Sequence, residues 1–353
     1  MKVYATCLLF GLLLTAPAAL AWESESGELR LRGRLQTRFE VEEQQDGDFS
    51  SRFRLKRARF DGRWKPSDKV RVVLEFEGAE LLETSSGEYP RVELKDAYGR
   101  LQLHKALRIE LGHLKKPFSR LKMESPFDLL LPVRGMLNRH AVADTRHGGH
   151  GGRGVGMLLS GRFKELARLR YYLGAFSGLG FEEGIEESHK DFVGRLQVRP
   201  FKGMRLAIGA SHKLYHDTLG RTRTANLFGA DLRYRFLGFT LLVEGAYGDN
   251  VDAGPGHCLW GVHGTLAYAI ELGEALVLTP AFMVEAFDPD DKTENGRAIR
   301  FAGAINLDIE DYCRLILFAE GATGELRAFD EIEAAVRARQ VATRVFLQVN
   351  MAF

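Results

Sequence analysis

The C-terminal segment sets the strictest constraint on the fold. From residue 341 to 353 the side chains alternate, with Val341, Thr343, Val345, Leu347, Val349, Met351 and Phe353 on one face and Ala342, Arg344, Phe346, Gln348, Asn350 and Ala352 on the other. A period of two sustained this far is a β-strand whose faces meet two different media. Such a strand, with nothing after it, must have its free edge closed elsewhere, and pairing of the last strand with the first, as in a transmembrane β-barrel, is the expected solution.

The N-terminus points to export. Lys2, the apolar run 7–14 and the small-x-small segment Ala19-Leu20-Ala21 read as a secretory signal over 1–21, removed before Trp22. Residues 22–353 are then one domain. Cys7 leaves with the signal, and Cys258 and Cys313 are too few for a disulfide framework. With 27% charged residues and no segment near the roughly 20 apolar residues a spanning helix needs, a helical membrane protein is excluded. A barrel escapes that requirement, because only every other strand residue meets lipid.

Sixteen alternating segments follow one another along the chain. In the first, Leu29, Leu31, Gly33, Leu35, Thr37, Phe39 and Val41 form an apolar face opposite Arg30, Arg32, Arg34, Gln36, Arg38 and Glu40. Similar alternation recurs at 70–77, 239–247 and 299–309. Between the segments, long connections near 42–51, 81–90, 114–152, 178–190, 214–223, 248–257, 288–296 and 321–339 alternate with tight turns near 65–68, 104–106, 164–165, 200–203, 237–238, 271–274 and 310–311. That regular long–short alternation predicts a 16-stranded antiparallel transmembrane barrel with both termini on the short-turn side. A soluble β-sandwich gives no reason for it.

The longest connection, about 114–152, is the third. A sixteen-strand lumen is too wide to be filled by its own wall, so an inward-folded third loop is expected to narrow it. Its cations, Lys115, Lys116, Arg120, Lys122, Arg134 and Arg139, outnumber Glu124, Asp128 and Asp144. On the wall, Arg30, Arg32, Arg34 and Arg38 of the first segment and Arg57, Arg59 and Arg63 of the second share the non-lipid faces, forming a two-column guanidinium ladder. Phe53 and Leu55 are out of phase with Ala58, Phe60, Gly62 and Trp64, which predicts a β-bulge near Lys56. Cations in series attract anions without trapping them, and arginine's donor fork suits phosphate. The alternative is a structural wall in which Asp61, Glu75, Glu77, Glu93 and Glu110 neutralise the arginines and selectivity is weak.

The segments FRLKRARFDGRW (53–64), LKDAYGRL (94–101), LGHLKKPFS (111–119), LNRH (137–140) and RGVG (153–156) resemble, in order and spacing, the phosphate-selective porin O/P family. A terminal strand ending in Phe is similarly how outer-membrane barrels of Gram-negative bacteria end. The resemblance implies a sixteen-strand outer-membrane anion porin, trimeric, passing phosphate or polyphosphate, with small anions and membrane lipid as partners. Arg120 stands where relatives commonly carry an acid, and Asn138 where they often have Glu.

Other chemistries find little support in the sequence. His140, His147 and His150 lie in and around the Gly-rich stretch RHGGHGGRG. Lacking Cys or close carboxylates, they read as a loop able to gain charge as pH falls rather than as a metal site. Ser119, Ser125 and Ser160 have no evident general base, and no nucleotide, cofactor or nucleic-acid motif is present. The readings carried forward are an anion channel with no enzymatic activity, a weakly selective general porin, and a structural or adhesive barrel.

Overall fold

A computed structural model describes residues 20–24, 27–43, 49–79, 91–142, 150–177, 190–216, 221–251, 255–292, 297–324 and 343–353. The expected signal, apart from its last two residues, lies outside them. Leu20–Ser24 forms a short antiparallel pair with 27–31.

Alternation produces the expected strands. The first eight are β1 (Gly27–Glu43), β2 (Phe49–Lys65), β3 (Val70–Glu77), β4 (Glu93–His104), β5 (Leu107–Lys115), β6 (Arg153–Phe163), β7 (Leu169–Ser177) and β8 (Lys190–Val198). The second eight are β9 (Met204–His216), β10 (Thr222–Phe236), β11 (Phe239–Asp249), β12 (Cys258–Tyr268, continued by Ile270–Glu271), β13 (Leu276–Asp288), β14 (Ala298–Ile309), β15 (Cys313–Gly324) and β16 (Thr343–Ala352). Each pairs antiparallel with the next, and β16 pairs with β1 from Arg344 opposite Glu42 to Ala352 opposite Arg34. The sixteen-stranded barrel is closed.

The two faces separate as the period of two requires. On β16, Val345, Leu347 and Met351 are exposed on the outside, while Phe346, Gln348 and Asn350 are buried inside. Outward rings gather at the short-turn end, with Phe163 against Tyr171 and Phe239 against Tyr268 at centroid distances of 6.0 and 4.5 Å. Aromatic girdles of this kind mark a membrane interface.

Two local features hold the barrel in register. At the seam, Gly33 N donates to Phe353 O at 2.6 Å and Phe353 N donates to Gly33 O at 2.9 Å. The Phe353 ring occupies the space above Gly33, where an added Cβ would come within 2.0 Å of it. Gly33→Val is therefore expected to expel the ring and lower the heat-unfolding midpoint in detergent, at about 1–3 kcal/mol; an unshifted midpoint would show that the ring contributes nothing to closure. In β2, Gln36 faces Arg57 while Thr37 faces Leu55, which leaves Lys56 as the extra residue. The bulge lies where the phase of Phe53 and Leu55 placed it.

The third loop folds into the lumen. It begins slightly later than the expected 114, because Leu114 and Lys115 still pair with Gly154 and Arg153. Within it are the short helix α1 (Arg120–Met123), capped by Ser119, and a π-helical turn over Asn138–Val142. Its apolar side chains pack on inward-facing apolar residues of the wall. Phe118, Met136, Leu137 and Val142 cluster with Val193, Leu227, Leu259 and Phe287, and Leu131 clusters with Met283, Ile316, Phe318 and Phe346. Burial of such side chains contributes on the order of 1.5–3 kcal/mol each. The loop thus lies on the β7–β16 side, and the charged wall of β1–β6 borders the remaining passage.

Candidate functional site

Polar bonds from the wall fix the loop over this apolar bed. Asp191 on β8 binds both Lys116, at the loop's root, and Lys213 on β9, the latter at 2.8 Å, and all three side chains are buried. Arg195 donates to Phe118 O at 2.7 Å, and Glu244 accepts from Leu121 N at 3.1 Å. Glu285 on β13 accepts from Met136 N and Leu137 N at 2.8 and 2.9 Å. It comes this close because Gly135, at φ 93°, has no Cβ to collide with its carboxylate. Farther round, Arg314 donates to Phe127 O and Leu129 O, and Arg34 to Ser125 Oγ.

The sequence-expected ladder faces the lumen and is threaded with acids. Asp61 collects Arg32, Arg34 and Arg63, and Glu75 collects Arg34, Arg59 and Arg153. Glu77 pairs with Arg59, Asp96 with Arg153, and Glu110 with Arg100. Glu93, the remaining candidate partner, binds Lys95 instead. Higher on the wall, Arg38 bonds Glu40 at 2.8 Å and lies 3.7 Å over the Phe346 ring. Arg30 is exposed at the short-turn end beside Glu28. Arg57 departs from the pattern, with the neutral Gln36 amide oxygen as its partner at 2.6 Å. Arg32, Arg34, Arg57, Arg59, Arg63 and Arg153 therefore share four carboxylates, so the wall keeps a positive surplus.

The loop's cations divide by environment. Lys116 is 1% exposed and anchors the loop root. Lys115 reaches Met123 O at 3.3 Å, and Arg120 is buried against Glu124. Lys122 is half-buried and Arg139 exposed. Arg134, which the ladder argument did not single out, donates to Leu121 O and Glu124 O and is an electrostatic neighbour of Arg57 and Arg59 across the passage. Burial, then Arg59 and Arg153, pull its pKa down to about 10, so it remains a cation at neutral pH.

His140 and His150 do not behave as titrating eyelet charges. His140 stacks on Phe287 with centroids 5.7 Å apart, and His150 Nδ1 lies 3.0 Å from Ser211 Oγ; His147 is outside the described residues. Burial and then Arg139 push His140 down to about 3, and burial with Lys213 and Lys116 holds His150 well below its usual value. Both rings are neutral in the fold. For His140, an unfolded chain with an ordinary pKa near 6.5 binds a proton that the folded state refuses until about pH 3, so the stability present above pH 6.5 is lost as pH falls through that window. The unfolding midpoint of the unsubstituted protein is expected to drop more between pH 7 and pH 4 than that of His140→Gln; equal drops would discard the assignment.

A second group of cations was missed by strand-by-strand reading. Arg108, Arg162, Arg170, Arg199 and Arg205 stand at the short-turn ends of β5 to β9. The register puts Arg108 opposite Ser160 and Arg162 opposite Arg170, on the same face as buried Glu110, Leu158 and Phe176. Arg108 has the Gln102 amide oxygen as partner at 2.8 Å. Desolvation, then Arg170, Arg168 and Arg162, lower the pKa of Arg199. Recurrence of Arg at one height on the lumen face of successive strands was the available signal.

The barrel fold is what the comparisons also find. The family model for phosphate-selective porin O and P matches residues 29–236, more than half of the sequence. The chain belongs to that family. This porin is similar in fold to an anion-selective porin from Comamonas acidovorans, with TM-score 0.66 and 12% identity over 92% of this chain and 99% of that one. It is likewise similar to Salmonella typhi OmpF in complex with daunomycin, with TM-score 0.68 and 10% identity over 95% and 100%. The trimer form of OmpT, an outer membrane protein of Vibrio cholerae, gives 0.61 and 12% over 93% and 100%. No curated protein matches it. The family and the barrel make it an outer-membrane porin of the Gram-negative type, with short turns toward the periplasm.

Proposed function

We propose that this porin is a diffusion channel for small anions, phosphate among them, and has no catalytic role. The observation that carries the reading is the surplus of guanidinium on β1–β6 facing Arg134 of the third loop. In a water-filled passage narrowed by protein, such a surplus raises local anion concentration, while the interspersed Asp61, Glu75 and Glu77 keep any one site shallow enough to release. Of the residues expected from sequence, Arg32, Arg34, Arg57, Arg59, Arg63, Lys115, Lys122 and Arg139 are assigned to the pathway beside Arg134. Arg30 and Arg38 stand at its two ends, and Lys116 and Arg120 support the loop. Phosphate preference rests on family membership and on the geometric match of guanidinium to phosphoryl oxygen.

Reversal potential across a potassium chloride gradient tests the reading, followed by titration of the chloride current with phosphate. Anion selectivity is expected, and Arg57→Glu with Arg134→Glu should weaken or invert it. A cation-selective reversal potential would overturn the proposal; an unchanged one in the double variant would move the filter elsewhere. The paired state of most wall arginines favours a second reading, a weakly selective general porin, which predicts a reversal potential near zero. Assembly as a homotrimer and removal of 1–21 complete the proposal, testable by native mass spectrometry and N-terminal sequencing.

A further inference from the structure

We infer that Gln36 is a specificity-determining residue of this channel, because its neutral amide holds the Arg57 guanidinium in place without cancelling its charge. The inference rests on the anion-channel reading and names the residue that sets the charge where the third loop narrows the passage. Along the lumen face of β1 the side chains run Arg30, Arg32, Arg34, Gln36, Arg38 and Glu40, and Gln36 is the one uncharged member of that column. It is 0% exposed and stands in register between Arg57 on β2 and Asn350 on β16.

The partners of the wall arginines show what is different here. Arg34 and Arg63 are held by Asp61, and Arg59 by Glu75 and Glu77. Arg57 instead donates from Nη1 to Gln36 Oε1 at 2.6 Å, and it has no ion pair among the described residues. Glu77 is near enough to act on Arg57, but both its oxygens are engaged. One accepts from Arg59 Nε at 2.7 Å, the other from the Ala58 and Ala79 N–H groups at 2.7 and 3.3 Å. The amide nitrogen of Gln36 faces Pro126 O of the third loop at 3.5 Å. Only one orientation of the amide serves a guanidinium donor and a carbonyl acceptor together, so its oxygen is committed to Arg57. The register shift of β2 falls between Gln36 and Thr37, and bulges of this kind re-aim the side chains beside them. Arg59 and Arg134 are electrostatic neighbours of the same guanidinium, which puts the uncancelled charge at the loop.

An amide oxygen occupies one of the five guanidinium N–H donors and cancels none of the charge, whereas a carboxylate at the same position would form a neutral pair. Uncancelled charge in a passage walled by protein raises the local concentration of anions. A guanidinium fixed through one N–H also keeps donors for phosphoryl oxygens. The barrel contains an internal contrast, because Arg108 Nε donates to Gln102 Oε1 at 2.8 Å near the periplasmic end, away from the loop. The chemistry is the same, but the lumen there is not narrowed.

The test uses the porin and its variants in planar bilayers at pH 8, with reversal potential in a potassium chloride gradient and half-inhibition of the chloride current by inorganic phosphate as readouts. Gln36→Glu, which is isosteric, is expected to lower the chloride-to-potassium permeability ratio roughly threefold or more, and Gln102→Glu clearly less. Gln36→Met keeps the charge of Arg57 but removes its acceptor. It should retain the permeability ratio while needing roughly threefold more phosphate for half-inhibition. No shift in Gln36→Glu, or an equal shift in Gln102→Glu, overturns the inference. Unchanged phosphate inhibition in Gln36→Met overturns the orienting role. Should Gln36→Glu fail to fold, Arg57→Met deletes the same charge from the other side of the contact and must give the shift instead; its absence overturns the inference equally. A cation-selective native protein rejects the anion-channel reading, yet a larger shift from Gln36→Glu than from Gln102→Glu in that protein would still sustain the role of Gln36.

Discussion

Replacing Asp191 by alanine is expected to lower the heat-unfolding midpoint sharply and to raise single-channel conductance. Lys116 and Lys213 share this one carboxylate in a setting where all three side chains are almost fully buried. Its removal leaves two like charges together in the protein interior, and breaking a buried pair in this way costs about 3–5 kcal/mol. Relief comes by moving the loop root away from β8, which opens the lumen. Asp191→Asn, which keeps the volume, should behave similarly because the charge is what is lost. Replacing the whole set, with Lys116→Met and Lys213→Met added to Asp191→Leu, should recover most of the midpoint. A midpoint and conductance unchanged in Asp191→Ala would show that the loop is held without it.

Glu285→Ala should produce a comparable change at the loop's middle. It removes the acceptor of two buried backbone N–H groups and one carboxylate partner of Arg300. Hydrogen bonds to a charged group contribute about 1.5–3 kcal/mol each. Part of the π-helical segment should then detach from β13, giving larger and noisier open-channel currents. Glu285→Gln retains one acceptor oxygen and should fall between the two. Quiet currents of unaltered size in Glu285→Ala would mean that apolar packing around Leu137 and Phe287 fixes this segment alone.

Much of the architecture was legible because it depends on local pattern. Alternation fixes which side chains meet lipid, and connection length fixes which end each turn occupies; both are read within a dozen residues. The acids that neutralise the ladder were legible for the same reason, since Asp61, Glu75 and Glu77 share strands or hairpins with their arginines. Lys115 and Lys116 were not distinguishable, because adjacent lysines look alike until Asp191 shows which one the wall claims. The loop's bed left a trace that strand-by-strand reading passed over. Leu227, Phe287, Phe318 and Phe346 sit at lumen positions that water would otherwise reach, and apolar side chains there require a cover. The periplasmic arginines were hidden by dispersion, since turns separate them in sequence and only the barrel brings them to one height.

The extra residue in β2 acts as a frame correction. Below Lys56, odd-numbered residues face the lumen; above it, even-numbered ones do, so that Arg52 and Arg54 oppose Glu40 and Arg38 while Phe53 lies 4.8 Å from Phe39 on the outside. Deleting Lys56 itself would leave Gln36 opposite Arg57 and Thr37 opposite Leu55, so both halves would keep their facing without the bulge, whereas deleting Phe53 would shift what lies above it by one and carry the Arg52 guanidinium toward lipid. A compensating single-residue insertion nearer the extracellular end would restore the phase only beyond the point of insertion. The upper part of this strand can therefore gain or lose residues in pairs, but not singly, unless the bulge itself moves.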